Sequence, residues 1–171
     1  IKHKSVDYEL ERYGLLAPPF QRAPMSLLQL MLYGGAPRKS VELALELGAD
    51  TTYQVWVGTY GKTLIDGAAL HIALVRGDLG NVEALIKAGA PLSQRNSAGE
   101  TELQHLFFSK KDGLTHEHLP LIELILRAGP IDLSITDSRG RSLSDAKLSG
   151  FRFGDLMDLA RSFIRKKDDP A

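Results

Sequence analysis

"ALHIALVRGDLGNVEALIKAGAP", Ala69 to Pro91, is the stretch whose pattern decides the fold. Leu70, Ala73 and Leu74 fall on one helical face, Gly77-Asp78 interrupt the period, and Val82, Leu85 and Ile86 resume it. The spacing predicts two short amphipathic helices joined by a tight turn. Ala84, Ala88 and Ala90 leave little bulk between them, and Gly89 supplies a left-handed residue to end the second helix. A pair this small cannot bury a core alone, so it demands copies of itself on either side.

Such copies are present. "SVELALELGAD" from Ser40 matches "NVEALIKAGAP" from Asn81, with Val41 over Val82, Glu42 over Glu83 and Gly48-Ala49 over Gly89-Ala90. A third copy, "LIELILRAGP" from Leu121, aligns Ile122, Glu123, Leu124, Ile125 and Gly129. Gly48, Gly89 and Gly129 stand 41 and 40 residues apart. Upstream, Pro24 and "MSLLQLMLYGG" predict a helix apolar nearly all round, hence one sandwiched between others and stopped by Gly34-Gly35. "SVDYELERYGLL", with Val6, Tyr8, Leu10 and Tyr13, predicts a helix from Ser5 to Leu16 that Pro18-Pro19 end. Leu156, Leu159, Ala160, Phe163 and Ile164 predict a closing helix, with Arg165 to Lys167 at its C-terminal end.

Composition sets outer bounds. The chain has 171 residues, 43% of them hydrophobic, with 21 basic and 21 acidic side chains, so no global field attracts nucleic acid or an anionic membrane. No apolar run approaches the roughly 18 residues of a membrane helix. The absence of cysteine excludes disulfides, thiolate catalysis and Cys-based zinc sites.

The repeats resemble those of the ankyrin family. "GAALHIA" from Gly67 keeps Leu70, His71 and Ala73 of that family's Thr-Pro-Leu-His-x-Ala helix start, "GETELQHL" from Gly99 keeps Thr101 and Leu103, and "GRSLSDA" from Gly140 keeps the Gly, a hydroxyl, a Leu and an Ala. "APLSQRNSAGE" after Gly89 has the family's loop spacing, with Asn96 where Asp or Asn is usual. The spacing here exceeds the family's roughly 33 residues because of insertions. The resemblance implies an all-α ankyrin-repeat solenoid of about four helix-turn-helix repeats with β-hairpin fingers and helical caps. An N-terminal capping segment would occupy residues 1–23 and the repeat domain 24–171, with repeats at about 24–50, 67–91, 99–132 and 140–167. It also implies a structural role for His71, whose imidazole would bond loop backbone, and for Gly48, Gly89 and Gly129.

Two insertions depart from that pattern. "TTYQVWVGTYGKTLIDG" after Asp50 is about eight residues longer than a regular finger, and the alternation of Tyr53, Val55 and Val57 with Gln54, Trp56 and Gly58 predicts a projecting β-hairpin. "SKKDGLTHEHLP" from Ser109 lengthens the turn inside the third repeat by about seven residues.

No constellation assembles catalysis. His116-Glu117-His118 offers two imidazoles without a third ligand at a fixed spacing. "GTYGKT" from Gly58 ends like a phosphate loop but lacks its interval and its strand-to-helix junction. No Gly-x-Ser-x-Gly elbow is present. The expectation is therefore a non-enzyme without metal or other cofactor, monomeric and cytoplasmic, that binds another protein rather than nucleic acid or membrane.

In the ankyrin family the residues before the glycine that ends each inner helix face a concave surface. Carried across repeat by repeat, these are Leu32 and Tyr33, Val75 and Arg76, Phe108 and Ser109, and Leu148 and Ser149. Tyr33, Val75 and Phe108 would form an apolar strip beside Tyr53, Trp56 and Tyr60 of the finger at 51–66, flanked by Arg76, Arg139 and Arg141. Aromatic residues and Arg are the types that dominate interface energies, which makes this set the expected partner-binding site. The other role open to the finger is a clasp, with Val55 or Trp56 folded back over the stack. The expected function is a protein-interaction module; the alternatives are a stand-alone inhibitor or immunity-type protein blocking a toxin or enzyme, and a non-catalytic accessory domain of a larger enzyme.

Overall fold

Ser26 opens the first helix of the computed structural model, which describes residues 25–60, 63–109, 116–129, 131, 132 and 134–143, with backbone alone at 56–60, 63–65 and 116. The helices expected over 5–16 and near the C-terminus, and Leu148-Ser149, lie outside these residues. The chain divides into two compact units between Pro91 and Leu92.

In the first unit, α1 (Leu27–Gly34) starts with a reciprocal cap. The Gln29 amide N–H donates to Ser26 Oγ at 3.2 Å, and the Ser26 N–H donates to Gln29 Oε1 at 2.9 Å. Gly35, at φ 73°, ends it, a conformation that costs glycine little. The chain then turns through Pro37 into α2 (Arg38–Glu46), crosses the hairpin of β1 (Val55–Tyr60) and β2 (Thr63–Gly67), and enters α3 (Ala69–Arg76) and α4 (Leu79–Lys87). The carboxylate of Asp78 caps α4 by accepting the Asn81 N–H at 3.1 Å.

α1 packs on α3 and α2 on α4, so the two helix pairs stack in parallel rows. Leu28, Leu32, Val41, Leu70, Leu74, Val82 and Leu85 fill the space between them and are buried. These are the periodic positions of the opening stretch and of its upstream copy, which places the core where the two patterns coincide. Asn81 Nδ2 donates to the Ala36 carbonyl at 3.0 Å, tying the start of α4 to the turn before α2. On the outer row Arg38 bonds Glu42 and Glu83, each at 2.7 Å.

Two expectations change here. α1 is not sandwiched on every side, because Leu27 is 54% exposed. Leu32 belongs to the core at 2% exposure and is no part of an open face, since α1 turns it towards the packed row.

The hairpin forms as the alternation predicts, with Tyr60 opposite Thr63 and Val55 opposite Gly67. Its register shifts between Val55 and Gly58, so one strand carries an extra residue there.

In the second unit, α5 (Glu102–Ser109) is followed by a 3-10 turn at His116–His118 and α6 (Leu119–Ala128). Leu103, Leu106, Phe107, Leu121, Ile122 and Ile125 form its core. Asn96 and Asp137 shape equivalent tight turns: Asn96 Oδ1 accepts the N–H groups of Ala98 and Glu100, and Asp137 Oδ1 those of Arg139 and Arg141. Gly48 and Gly89 are left-handed, at φ 84° and 80°. Gly129 is not their equivalent in conformation, because its φ of −176° is extended. A Cβ there would come within 2.9 Å of Leu92 Cδ1, the end of a side chain that can move aside.

Candidate functional site

A single buried amide holds the base of the long finger. Gln29 Nε2 donates to the Tyr53 carbonyl at 2.9 Å, just before β1, and to the Gly67 carbonyl at 3.2 Å, at the end of β2. Both strands are therefore fastened to α1 at one point, by a side chain with no exposed surface. Gly67, at φ 106°, lies so close over the His71 ring that a Cβ would stand 2.6 Å from its Cγ. His71 is buried, and its Nδ1 accepts the Ala68 N–H at 3.3 Å. Tyr53 is 38% exposed at the finger's base, whereas Val55 is buried at the start of β1. Trp56 and Tyr60 lie further along β1.

The C-terminal ends of α1 and α3 sit side by side. Arg76 reaches across so that its Nη2 is 3.4 Å from where a Cβ of Gly35 would be. Tyr33, two residues before Gly35, and Val75, next to Arg76, are half-buried, and Arg76 is exposed.

In the second unit Phe108 and Arg141 meet directly. The Arg141 guanidinium lies 4.0 Å from the Phe108 ring centroid, while its Nε bonds Asp137 Oδ2 at 2.7 Å and its Nη2 bonds Glu100 Oε1 at 3.0 Å. Arg141 is thus engaged within the fold as well as half-exposed, and Arg139 stands exposed beside it. Glu100 also takes His105 Nδ1 at 2.8 Å and Asn96 Nδ2 at 3.1 Å. Burial alone would raise the Glu100 carboxyl, but the bonds from His105 and Asn96 and the nearby positive charge hold it below its ordinary value. Burial likewise opposes ionisation of Asp137, and the Arg141 backbone and side-chain bonds overcome it, lowering its pKa.

Glu102 behaves in the opposite way. Its oxygens accept the N–H groups of Ser93 and Gln94, each at 2.9 Å, yet burial pushes the carboxyl up to about 7. Among the described residues no three metal-binding side chains converge, and no helix is long and apolar enough to cross a membrane.

No protein-family model and no curated protein matches the sequence. Solved structures do match the fold. An ankyrin repeat domain from Acinetobacter baumannii AYE superposes with a TM-score of 0.64 at 23% identity, over 91% of this chain and 73% of that one. This chain has the ankyrin-repeat fold. The ankyrin repeat domain of Bcl-3, a member of the IkappaB protein family, matches with a TM-score of 0.60 at 22% identity, over 78% of this chain. The chain spans about half of that domain, 51% of its length.

Set on the ankyrin fold, the departures from Thr-Pro-Leu-His have physical replacements. Gln104 stands where His71 stands in the preceding repeat: its Oε1 accepts the Thr101 N–H at 2.9 Å, and its Nε2 donates to the carbonyls of Ile135 at 2.7 Å and Arg141 at 3.2 Å. Gln29 has the same place in the first repeat. The sequence expectations missed both glutamines, although Ser26-x-x-Gln29 and Thr101-x-x-Gln104 spell capping boxes. Glu102 fills the proline position and closes the loop before it, where Ser93 takes a left-handed φ of 66°.

Proposed function

We propose that this chain is a non-catalytic module that binds another protein through the long finger and the adjoining ends of α1 and α3. Tyr53, Trp56 and Tyr60 would contribute from the finger and Tyr33, Val75 and Arg76 from the helix ends. In the second unit, taken by itself, Phe108, Arg139 and Arg141 are the proposed contact residues, with the Arg141 guanidinium over the Phe108 ring. The observation that carries this is the attachment of both finger strands to Gln29. A loop fixed at its base loses less conformational entropy on binding than one that must be ordered by its partner, so it suits recognition. The ankyrin repeat fold supports the same role by analogy alone.

The test is comparative. The full chain, Arg76→Glu and a deletion of residues 55–60 are immobilised and used to retain proteins from the source cell, with each melting curve recorded. A partner retained by the parent and lost from both variants is expected, with the Tm of Arg76→Glu within about 2 °C of the parent, as for a surface substitution. Identical retention by all three overturns the assignment of this surface. Loss of the helical signal on deleting 55–60 would make the finger a clasp.

A further inference from the structure

The chain carries 21 basic and 21 acidic side chains, but burial separates the two signs in the second unit. Glu100, Glu102 and Asp137 are buried there. Each spends its oxygens inside the fold: Glu100 on His105, Asn96 and Arg141, Glu102 on the N–H groups of Ser93 and Gln94, and Asp137 on Arg139 and Arg141. Three arginines of the same stretch keep their surface, with Arg95 and Arg139 exposed and Arg141 half-exposed. A balanced composition therefore conceals a basic surface.

Two adjoining turns gather these arginines. The Ser138 N–H donates to the Ala98 carbonyl at 2.9 Å, and Arg95 Nη1 donates to the Thr136 carbonyl at 3.0 Å, just before the turn that Asp137 folds. Much of their donor capacity is unspent. Among the described residues the Arg139 side chain makes no hydrogen bond, Arg95 bonds through Nη1 alone, and Arg141 keeps Nη1 unbonded. Asp132 is the exposed acid nearest in sequence, and its Oδ1 already accepts the N–H and hydroxyl of Ser134. Glu123 is paired with Arg127 on α6.

Arg141 shows the kind of anion such a surface takes. Its Nε and Nη2 both lie on Asp137 Oδ2, at 2.7 and 2.6 Å, while its guanidinium covers the Phe108 ring. A fork of parallel N–H donors matches a carboxylate. Nucleic acid fits less well, because it binds through a run of about 6–10 phosphate contacts and three arginines on a chain of zero net charge supply too few.

We infer that the second unit binds an Asp/Glu-rich stretch of a partner protein through Arg95, Arg139 and the Nη1 group of Arg141. This rests on the reading of the chain as a protein-binding module and adds the chemistry of the partner at this unit.

The probe is fluorescein-labelled deca-glutamate, followed by polarisation with the full chain at about 20 mM and about 150 mM NaCl, between which the screening length falls from roughly 20 Å to about 8 Å. Binding at the lower salt is expected, weakened at least about tenfold at the higher. Arg139→Glu and Arg95→Glu should each bind at least about fivefold more weakly. Arg139→Glu breaks no side-chain bond among the described residues, so its effect is read on a folded protein. Arg127→Glu makes the same change of charge on α6 and should stay within about twofold of the parent. Absence of binding overturns the inference, as does an equal loss in Arg127→Glu, which would reduce the effect to net charge. Tighter binding of deca-thymidylate than of deca-glutamate also overturns it and makes the ligand a nucleic acid. Retention of a cell protein by the full chain without binding of deca-glutamate overturns the acidic stretch and leaves the module reading standing, whereas that reading fails separately if no protein is retained.

Discussion

Replacing Gln29 by leucine leaves an apolar side chain of comparable bulk and deletes the polar head. Three hydrogen bonds go: those to the Tyr53 and Gly67 carbonyls, and the one Oε1 accepts from Ser26. The bond from the Gln29 backbone to Ser26 Oγ stays, so the helix start keeps half its cap. A net hydrogen bond is worth about 1 kcal/mol, and a buried carbonyl left without a partner costs about 1–3 kcal/mol. Leucine regains part of this through apolar burial. The expected loss is about 2–4 kcal/mol, read as a lower urea midpoint with an unchanged slope. Gln29→His should fall between, because a ring nitrogen can accept the Ser26 N–H, as His71 accepts that of Ala68, without reaching both carbonyls. Amide exchange localises the effect. The β1–β2 ladder should exchange at least about tenfold faster, corresponding to about 1.4 kcal/mol of lost local protection, with α4 shifted only by the global term. A loss under about 0.5 kcal/mol, the range of inert surface changes, would refute the clamp. So would a full loss of stability with no selective effect on the finger.

Glu102 makes stability depend on pH in a defined window. Its folded pKa of about 7 lies above the ordinary 4.5, so its favourable contribution is complete below about 4.5 and is lost as the pH rises towards 7. The upper bound is about 3 kcal/mol, and Glu102→Gln should flatten the parent's decline between pH 5 and 7.5 in urea titrations. The lowered carboxyls of Glu100 and Asp137 act oppositely and below that window, losing their contribution as the pH falls through their folded values. Gly89→Ala should cost about 1–2 kcal/mol through its left-handed backbone although the space around it is open, whereas Gly129→Ala should cost less than about 1 kcal/mol because the Leu92 methyl can move. Gly67→Ala combines a left-handed φ with a clash against His71 and should cost more than about 3 kcal/mol by thermal melting.

The helix pairs were legible because they rest on period. Leu70, Leu74, Val82 and Leu85 declare their face in sequence and are buried together. The hairpin was legible from alternation, but its register shift was not, because an extra residue between Val55 and Gly58 leaves no compositional mark. Gln29 and Gln104 were passed over for a different reason. Measured against a histidine pattern they counted as losses, while their reach to carbonyls 24 to 38 residues away depends on tertiary placement. Of the site, Arg76 beside the end of α1 and Arg141 over Phe108 are positions of long side chains, which periodicity does not specify. Leu27 and Leu43 illustrate the converse: they fit a core pattern and are exposed, since a pattern cannot say whether its partner is in place.

The glutamine clamps give the array a direction. Gln29 reaches residues 24 and 38 positions further along the chain, and Gln104 residues 31 and 37 further along, so each donor is synthesised before the carbonyls it holds. A growing chain therefore carries a prepared socket that waits for the finger still to emerge. Assembly from the N-terminus meets its anchors in order, whereas a C-terminal fragment begun after α1 would contain a finger with no anchor. Repeats transplanted from this chain into another array would need their upstream neighbour's glutamine to arrive with them.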